Sequence, residues 1–590
     1  PGAAVVADSP LSFTLNAISF TLLTPTDFAA RLPVALGGVL LVLAPALWRR
    51  YLNPLPPLIM SLLLAISPVA LLAARTSSPV VWSALLAVVL PWLLLRYVET
   101  REPRWAVLTT LSAGVMLLLA EPAGLFMLLS LGFGVAFAWL TEDDPDVDVR
   151  GTVQALLREW PWATGALLTA LVVVLASTCL FLLPSGLGGV GNVVYEGVTN
   201  MFDRQPNAPL AFPLVIALRY EFGLVVFGLV ASYHAVRLGG FFERAVTGWF
   251  LSGVVWSLVY AGAGAAHALW IVLPLIVLAG LMITRWIVER PETVWNAPYW
   301  AVPLHAVITL ALWVALAMSL VLLAKWVLFD LPFTVDDLGE LVRKLFAGVY
   351  SRDTDLASNP QLIALQNTQV YEYVLGFIQL RLLMSVLLSL LISVLYFLVG
   401  SIWGARVAWR GLALGTLGAF VLFSLGLGGR AAFQNTTDPR EFWYLNPITD
   451  DTDELRATLR EMSLRATGRQ DPDVDVQGGD PYLIEITAQV PEDGALAWAL
   501  RDFPNTTFVD GVGPEASTAA ILAPEMLPEP ELGGAYVGKD LVMRKMWDRG
   551  TLSWRDALMW YYRGETLYKP LPGATSMLWI DATVYGYEAP

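Results

Sequence analysis

From Leu32 to Leu427 the chain alternates long apolar runs with short polar breaks, and most of the runs are long enough to cross a bilayer. A helix needs about 20 apolar residues to cross the hydrocarbon core. By that measure the pattern predicts spans at Leu32–Trp48, Pro54–Ala74, Val80–Val98, Trp105–Ala120, Ala123–Leu140 and Trp162–Leu183. It predicts six more at Leu210–Val236, Ala245–Ala261, Ala266–Val288, Tyr299–Phe329, Tyr373–Val399 and Leu412–Leu427, about 12 in all. Leu11–Leu23 is apolar but too short to span and reads as an interfacial or re-entrant helix. No duplicated span pattern and no matched pair of broken helices is legible, which argues against a transporter.

Beyond Gly429 the pattern changes to short alternating elements. Strands are predicted at Glu441–Thr449, Tyr482–Val490, Thr506–Val509, Ala519–Ala523, Leu541–Met546 and Ser576–Ile580. Helices are predicted from Asp451 to about Gly468, at Gly494–Asp502 and at Ser553–Tyr562, with Asp451 and Glu454 spaced as a capping box. The fold expected is a multi-pass α-helical membrane protein with a C-terminal soluble α/β domain. Its parts are an outer loop with an interfacial helix (1–31), a transmembrane bundle (32–429) and an acidic domain (430–590).

Charge sharpens this division. The part through Gly429 carries 24 acidic and 22 basic residues, and the remainder carries 26 acidic and 14 basic. Nearly all the acidity belongs to the tail, and no basic patch suggests nucleic acid. Thirteen arginines fall on alternate ends of the spans: Arg49, Arg50, Arg96, Arg101, Arg104, Arg150, Arg158, Arg237, Arg244, Arg285, Arg290, Arg406 and Arg410. The positive-inside rule assigns those ends to the cytoplasm, and parity then places the tail outside it, in a cell (inner) membrane protein. Cys179 is the one cysteine, and the histidines are His234, His267 and His305. No metal site is legible in that set. No glycine-rich nucleotide loop follows a strand in the tail.

The order of short motifs carries a resemblance. Asp8-Ser9-Pro10-Leu11 precedes the short helix, then come Asp27-Phe28-Ala29-Ala30-Arg31-Leu32-Pro33, Ser67-Pro68 and Ala74-Arg75-Thr76-Ser77. This progression resembles membrane glycosyltransferases of the GT-C superfamily, of the dolichyl-phosphate-mannose–protein mannosyltransferase type. Pro184-Ser185-Gly186-Leu187, Arg204-Gln205-Pro206, Arg219-Tyr220-Glu221 and Leu273-Pro274-Leu275 are similar to the flippase-activity-associated branch of archaeal-type glycosylation. So are Asp438-Pro439-Arg440-Glu441 and Trp498-Ala499-Leu500-Arg501-Asp502-Phe503 in the tail.

The resemblance implies a sugar donor on a polyprenyl phosphate and transfer at the extracytoplasmic face. It also implies an acidic base in the first outer loop, with a divalent metal if that loop carries the family's acidic motif. That motif is expected upstream of Pro1, so the catalytic residues are unknown from this sequence. Ala261-Gly262-Ala263-Gly264 departs from the glutamate-lysine pair usual in the narrower branch.

Arg75 and Arg204 are the candidates for binding the donor's phosphate, in a cavity expected between the Leu11–Leu23 helix and the loop Pro184–Pro209. The plainer reading of each is an arginine that snorkels to ordinary lipid headgroups. Glu121 interrupts an apolar run, which marks either a functional carboxylate or a helix end facing water. Asp8 is a weaker candidate base, and His267 reads most simply as a polar residue at the membrane interface. Arg219, Glu221 and Arg381 are expected to serve a structural interhelical network. The expected partners are membrane lipids, a polyprenyl-phosphate sugar and other membrane subunits. The alternative function is a catalytically inactive GT-C-fold scaffold within a larger membrane complex.

Overall fold

A computed structural model describes residues 9–141, 149–204, 208–285, 298–325, 369–471, 474–477, 479–491, 494–525, 530–547, 557, 560, 561, 564 and 569–585. The chain divides into two compact units, one of residues 1–434 with 561–563, the other of 435–560 with 564–590. Asp8 and most of the helix expected at Ser553–Tyr562 lie outside the described residues.

The first unit is helical. Its helices are α1 (Pro10–Leu23), α2 (Asp27–Leu52), α3 (Leu55–Ile66), α4 (Pro68–Arg75), α5 (Val80–Thr100), α6 (Pro103–Ala120) and α7 (Gly124–Leu140). They continue with α8 (Val149–Arg158), α9 (Trp162–Ser177), α10 (Gly188–Thr199), α11 (Phe212–Tyr220), α12 (Phe222–Leu238) and α13 (Phe241–Val259). The last four are α14 (Ala265–Ile283), α15 (Ala301–Lys325), α16 (Gln369–Trp403) and α17 (Ala405–Gln434). Among the described residues seven helices are long and apolar enough to cross a membrane, or up to nine if each bent pair counts as one span. This is a membrane-spanning protein. Among the described residues the count of 12 is not reached, because α7 and α9 have only 17 and 16 residues, α13 is not apolar enough to qualify, and two expected spans are broken.

Burial separates the spans by role. The span in α14 has 83% of its apolar window buried and is apolar all round, the composition of a central helix. The spans in α15 and α16 are 17% and 22% buried, which leaves most of their Leu, Val and Phe side chains for lipid. Glycine lets α15 and α17 touch: a methyl at Gly415 would stand 2.6 Å from the Ala306 carbonyl.

Two helices are broken, contrary to the sequence expectation. Between α3 and α4 the axis bends by 59°. Pro68 pushes Ser67 into an extended conformation, and the Ser67 hydroxyl then accepts from the Ala70 amide to cap α4. Between α11 and α12 the bend is 103°, with Glu221 the non-helical residue at the corner. The two corners meet. The Glu221 carboxylate accepts from the Ser67 hydroxyl and, at 3.3 Å, from the Val69 amide at the start of α4. Glu221 therefore satisfies two donors at a helix N-terminus, where an anion is favoured.

Towards the arginine-bearing ends of the spans, α2, α3, α5, α7, α13 and α14 line a partly open cavity of about 860 Å³. Its walls are Leu, Val, Ala, Phe, Trp, Ile, Pro and Met side chains with Gly132.

The second unit is α/β. It contains α18 (Asp451–Thr467), β1 (Arg469–Asp471), β2 (Val474–Gln477), β3 (Ile486–Ala488), α19 (Ala495–Leu500), β4 (Thr506–Phe508), β5 (Ala520–Pro524), β6 (Tyr536–Met546) and β7 (Leu571–Asp581). The main sheet has the order β4-β3-β5-β7-β6, with β4, β3 and β5 parallel and β7 antiparallel to both neighbours. Leu455, Leu459 and Met462, one stripe of α18, join Ile484, Ile486, Leu522, Leu578 and Ile580 in the core.

Two local expectations fail here. Glu441–Thr449 is not a strand; among the described residues it contributes an isolated bridge, Ile448 to Arg544. The capping box is not formed either. The Asp451 carboxylate accepts from the Val542 amide at 2.8 Å, and Glu454 pairs with Lys539, so tertiary partners take both carboxylates from the helix end.

Candidate functional site

One cluster of buried polar groups lies where α4, α6, α10, α13 and α14 end or begin. Glu121 follows a wide π-type turn at Met116–Ala120 and precedes Pro122, which enforces its extended backbone. Close packing seals this corner, since a methyl at Gly197 of α10 would stand 2.5 Å from the Pro122 carbonyl. Glu121 is only 2% exposed, so the carboxylate does not face water as its helix-end position suggested.

His267 meets it from the first turn of α14. Its Nδ1 accepts from the Gly264 amide at 2.8 Å, so the neutral ring carries its proton on Nε2. That Nε2 lies 3.3 Å from Glu121 Oε2 but is not aligned to donate. Glu121 Oε1 is buried with no hydrogen-bond partner among the described residues. A buried polar atom left unpaired costs roughly 1–3 kcal/mol, so such an atom needs a reason.

Aromatic rings surround the pair. Trp270 lies 4.7 Å from His267 between ring centroids, and Phe126 lies 4.7 Å from Tyr260. The Tyr260 hydroxyl bonds the Asn200 side chain beyond the end of α10, with Glu121 and Glu196 close enough to act on it electrostatically. The Ala261–Gly264 stretch closes the floor, its Gly262 amide donating to the Asn200 carbonyl at 2.7 Å. A methyl at Gly262 would meet the Asn200 side chain at 2.7 Å, so the departure from charged residues there matches a tight backbone contact.

Arg75 is the last residue of α4, which packs against the turn that carries His267. Its guanidinium lies 4.3 Å from the Phe433 ring centroid, a cation–π contact that fixes the charge at the helix end. The structure thus brings Glu121 and His267 together, with the helix that ends in Arg75 against them. Arg204 is exposed after α10 and makes no hydrogen bond, ion pair or ring contact among the described residues.

The α1 helix packs on α2 and α9, with Ser9 and Ser19 hydroxyls donating to the Leu119 and Ala29 carbonyls at 3.2 and 2.7 Å. Sequence reasoning missed Tyr260, Asn200 and Phe433, which no periodicity or motif distinguishes from membrane-interface residues. Among the described residues no three His, Cys, Asp or Glu side chains converge. Glu121 and His267 supply two ligands, short of the set that a zinc, magnesium or calcium ion takes, so they do not hold one alone.

No protein-family model and no curated protein matches this chain. Two crystal structures of ArnT from Cupriavidus metallidurans are similar to it, one bound to undecaprenyl phosphate and one in the apo state. Each is 14% identical, covers 84% of this chain and 74% of that chain, and gives a TM-score of 0.46.

Proposed function

We propose that this protein is a GT-C-like membrane glycosyltransferase that takes a sugar from a polyprenyl phosphate at the extracytoplasmic face. The observation that carries this reading is the end of the helical unit described above. An arginine fixed over an aromatic ring ends a helix packed beside a buried carboxylate–imidazole pair, and one carboxylate oxygen there has no described partner. The motif order from Pro10-Leu11 through Ser67-Pro68 to Arg75 supports the same reading. The carrier is of the chemical class named in the ArnT complex, a polyprenyl phosphate.

In the transfer, an acceptor hydroxyl oxygen attacks the anomeric carbon. The bond from that carbon to the phosphate oxygen breaks, and a carboxylate base takes the hydroxyl proton. Arg75 holds the negative charge that develops on the departing polyprenyl phosphate, a task suited to a guanidinium's paired N–H donors. Glu121 accepts a hydrogen bond from a hydroxyl of the donor sugar through Oε1 once the close-packed corner at Pro122 opens to admit it, with the His267 ring 3.3 Å from the other oxygen.

Arg75→Ala is expected to weaken undecaprenyl phosphate binding to the purified full chain roughly tenfold or more, with the fold retained. Unchanged binding in that variant, with unchanged envelope glycosylation in cells, favours the scaffold reading instead. Orientation is testable separately. A cysteine at the exposed Ser517 should react with an impermeant maleimide in intact cells, and reaction only after lysis would reverse the assigned face.

A further inference from the structure

A lipid-sized cavity lies at the other end of the α3–α4 pair from Arg75. The cavity of about 860 Å³ falls within the range of ligand pockets, roughly 300–1,000 Å³. Its last turn, at Leu52, Phe241 and Phe242, is shared with a cavity of about 400 Å³ whose walls include Asn53, Glu243, Thr284 and Arg285. The apolar cavity therefore adjoins a polar one, an arrangement suited to an amphiphile.

Two observations indicate an occupant. Gly132 lines the apolar chamber, and a methyl added there would meet nothing within 4 Å. At the mouth, Arg285 donates one N–H to Glu243 at 2.7 Å while its side chain stays 48% exposed, which leaves donors for a second anion. The chamber sits among membrane-spanning helices, so hydrocarbon is the medium available to fill it.

We propose that this chamber binds one acyl chain of a bilayer phospholipid, with the lipid's phosphate at Arg285. The site lies among the span ends that the arginine pattern assigns to the cytoplasm, and it is separate from the donor site proposed at Arg75. It gives the protein a resident lipid that replaces core packing between α5 and α13.

Native mass spectrometry of the full chain, delipidated in detergent and titrated with palmitoyl-oleoyl phosphatidylglycerol, tests this. The wild type is expected to retain one tightly bound lipid. Gly132→Phe and the milder Gly132→Leu, which grow into open space, should each lower its affinity roughly tenfold or more. Arg285→Gln should reduce the preference for phosphatidylglycerol over phosphatidylcholine, and Arg75→Ala should leave the bound lipid unchanged. Full retention of the lipid in folded Gly132→Leu, or its loss in Arg75→Ala, overturns the assignment. Should neither Gly132 variant fold, a structure of the wild type in lipid nanodiscs decides: hydrocarbon density between α5 and α13 supports the site, and a chamber closed by its own side chains refutes it.

Discussion

Glu121 and Glu221 are both carboxylates at breaks in apolar helices, and both are almost fully buried, yet their surroundings differ in kind. Glu221 has two donors, the Ser67 hydroxyl and the Val69 amide, and ties the corners of two bent helices together. Glu121 has an imidazole 3.3 Å from one oxygen and no described partner for the other. Burying a carboxylate is expensive in either place. At Glu221 the bonds offset that cost and fix the fold, so the residue is explained by architecture alone. At Glu121 one oxygen has no partner among the described residues, and the proposed sugar contact rests on that oxygen.

The contrast can be broken by removing each group in turn. Glu221→Leu strands the Ser67 hydroxyl and the Val69 amide at once, each worth roughly 1–3 kcal/mol when buried and unpaired. A loss of about 2–4 kcal/mol is therefore expected, read as a large fall in the thermal midpoint of the detergent-solubilised chain. A midpoint close to wild type would mean that the corner contact is not structural.

Ser67→Ala should cost less, about 1 kcal/mol, because it removes one donor and the cap of α4 but leaves the Val69 amide bonded to Glu221. A cost equal to that of Glu221→Leu would place the whole effect in the serine. Glu121→Leu should cost no stability and can add about 1 kcal/mol, since an apolar group replaces a carboxylate with one oxygen unpartnered among the described residues.

Much of this fold is legible in the sequence, and the exceptions have physical causes. Hydropathy locates the apolar segments because a bilayer sets their length, and the alternation beyond Gly429 yields the α/β tail with its core stripe at Leu455, Leu459 and Met462. The corner at Ser67 has a local signal in Pro68. The 103° corner at Glu221 has none, because no proline or glycine stands at the break and a contact with a segment about 150 residues away holds it. The same distance effect defeats the capping box in the tail, where Val542 and Lys539 outbid the helix end for Asp451 and Glu454.

For the site, the sequence singles out Glu121 and His267 separately, as a polar interruption and an interfacial residue. Only the packing of the Gly264 turn on the end of α10 makes them a pair. Arg204 shows the converse: a motif residue that is exposed and has no partner among the described residues.

The most direct measurement of the central claim is sugar transfer from a polyprenyl-phosphate donor by membranes carrying the full-length protein, wild type against Glu121→Leu. Binding of a sugar hydroxyl by a buried carboxylate predicts a variant that folds with near wild-type stability and transfers roughly a hundredfold more slowly. Transfer at the wild-type rate, or unfolding as severe as that of Glu221→Leu, would contradict the account.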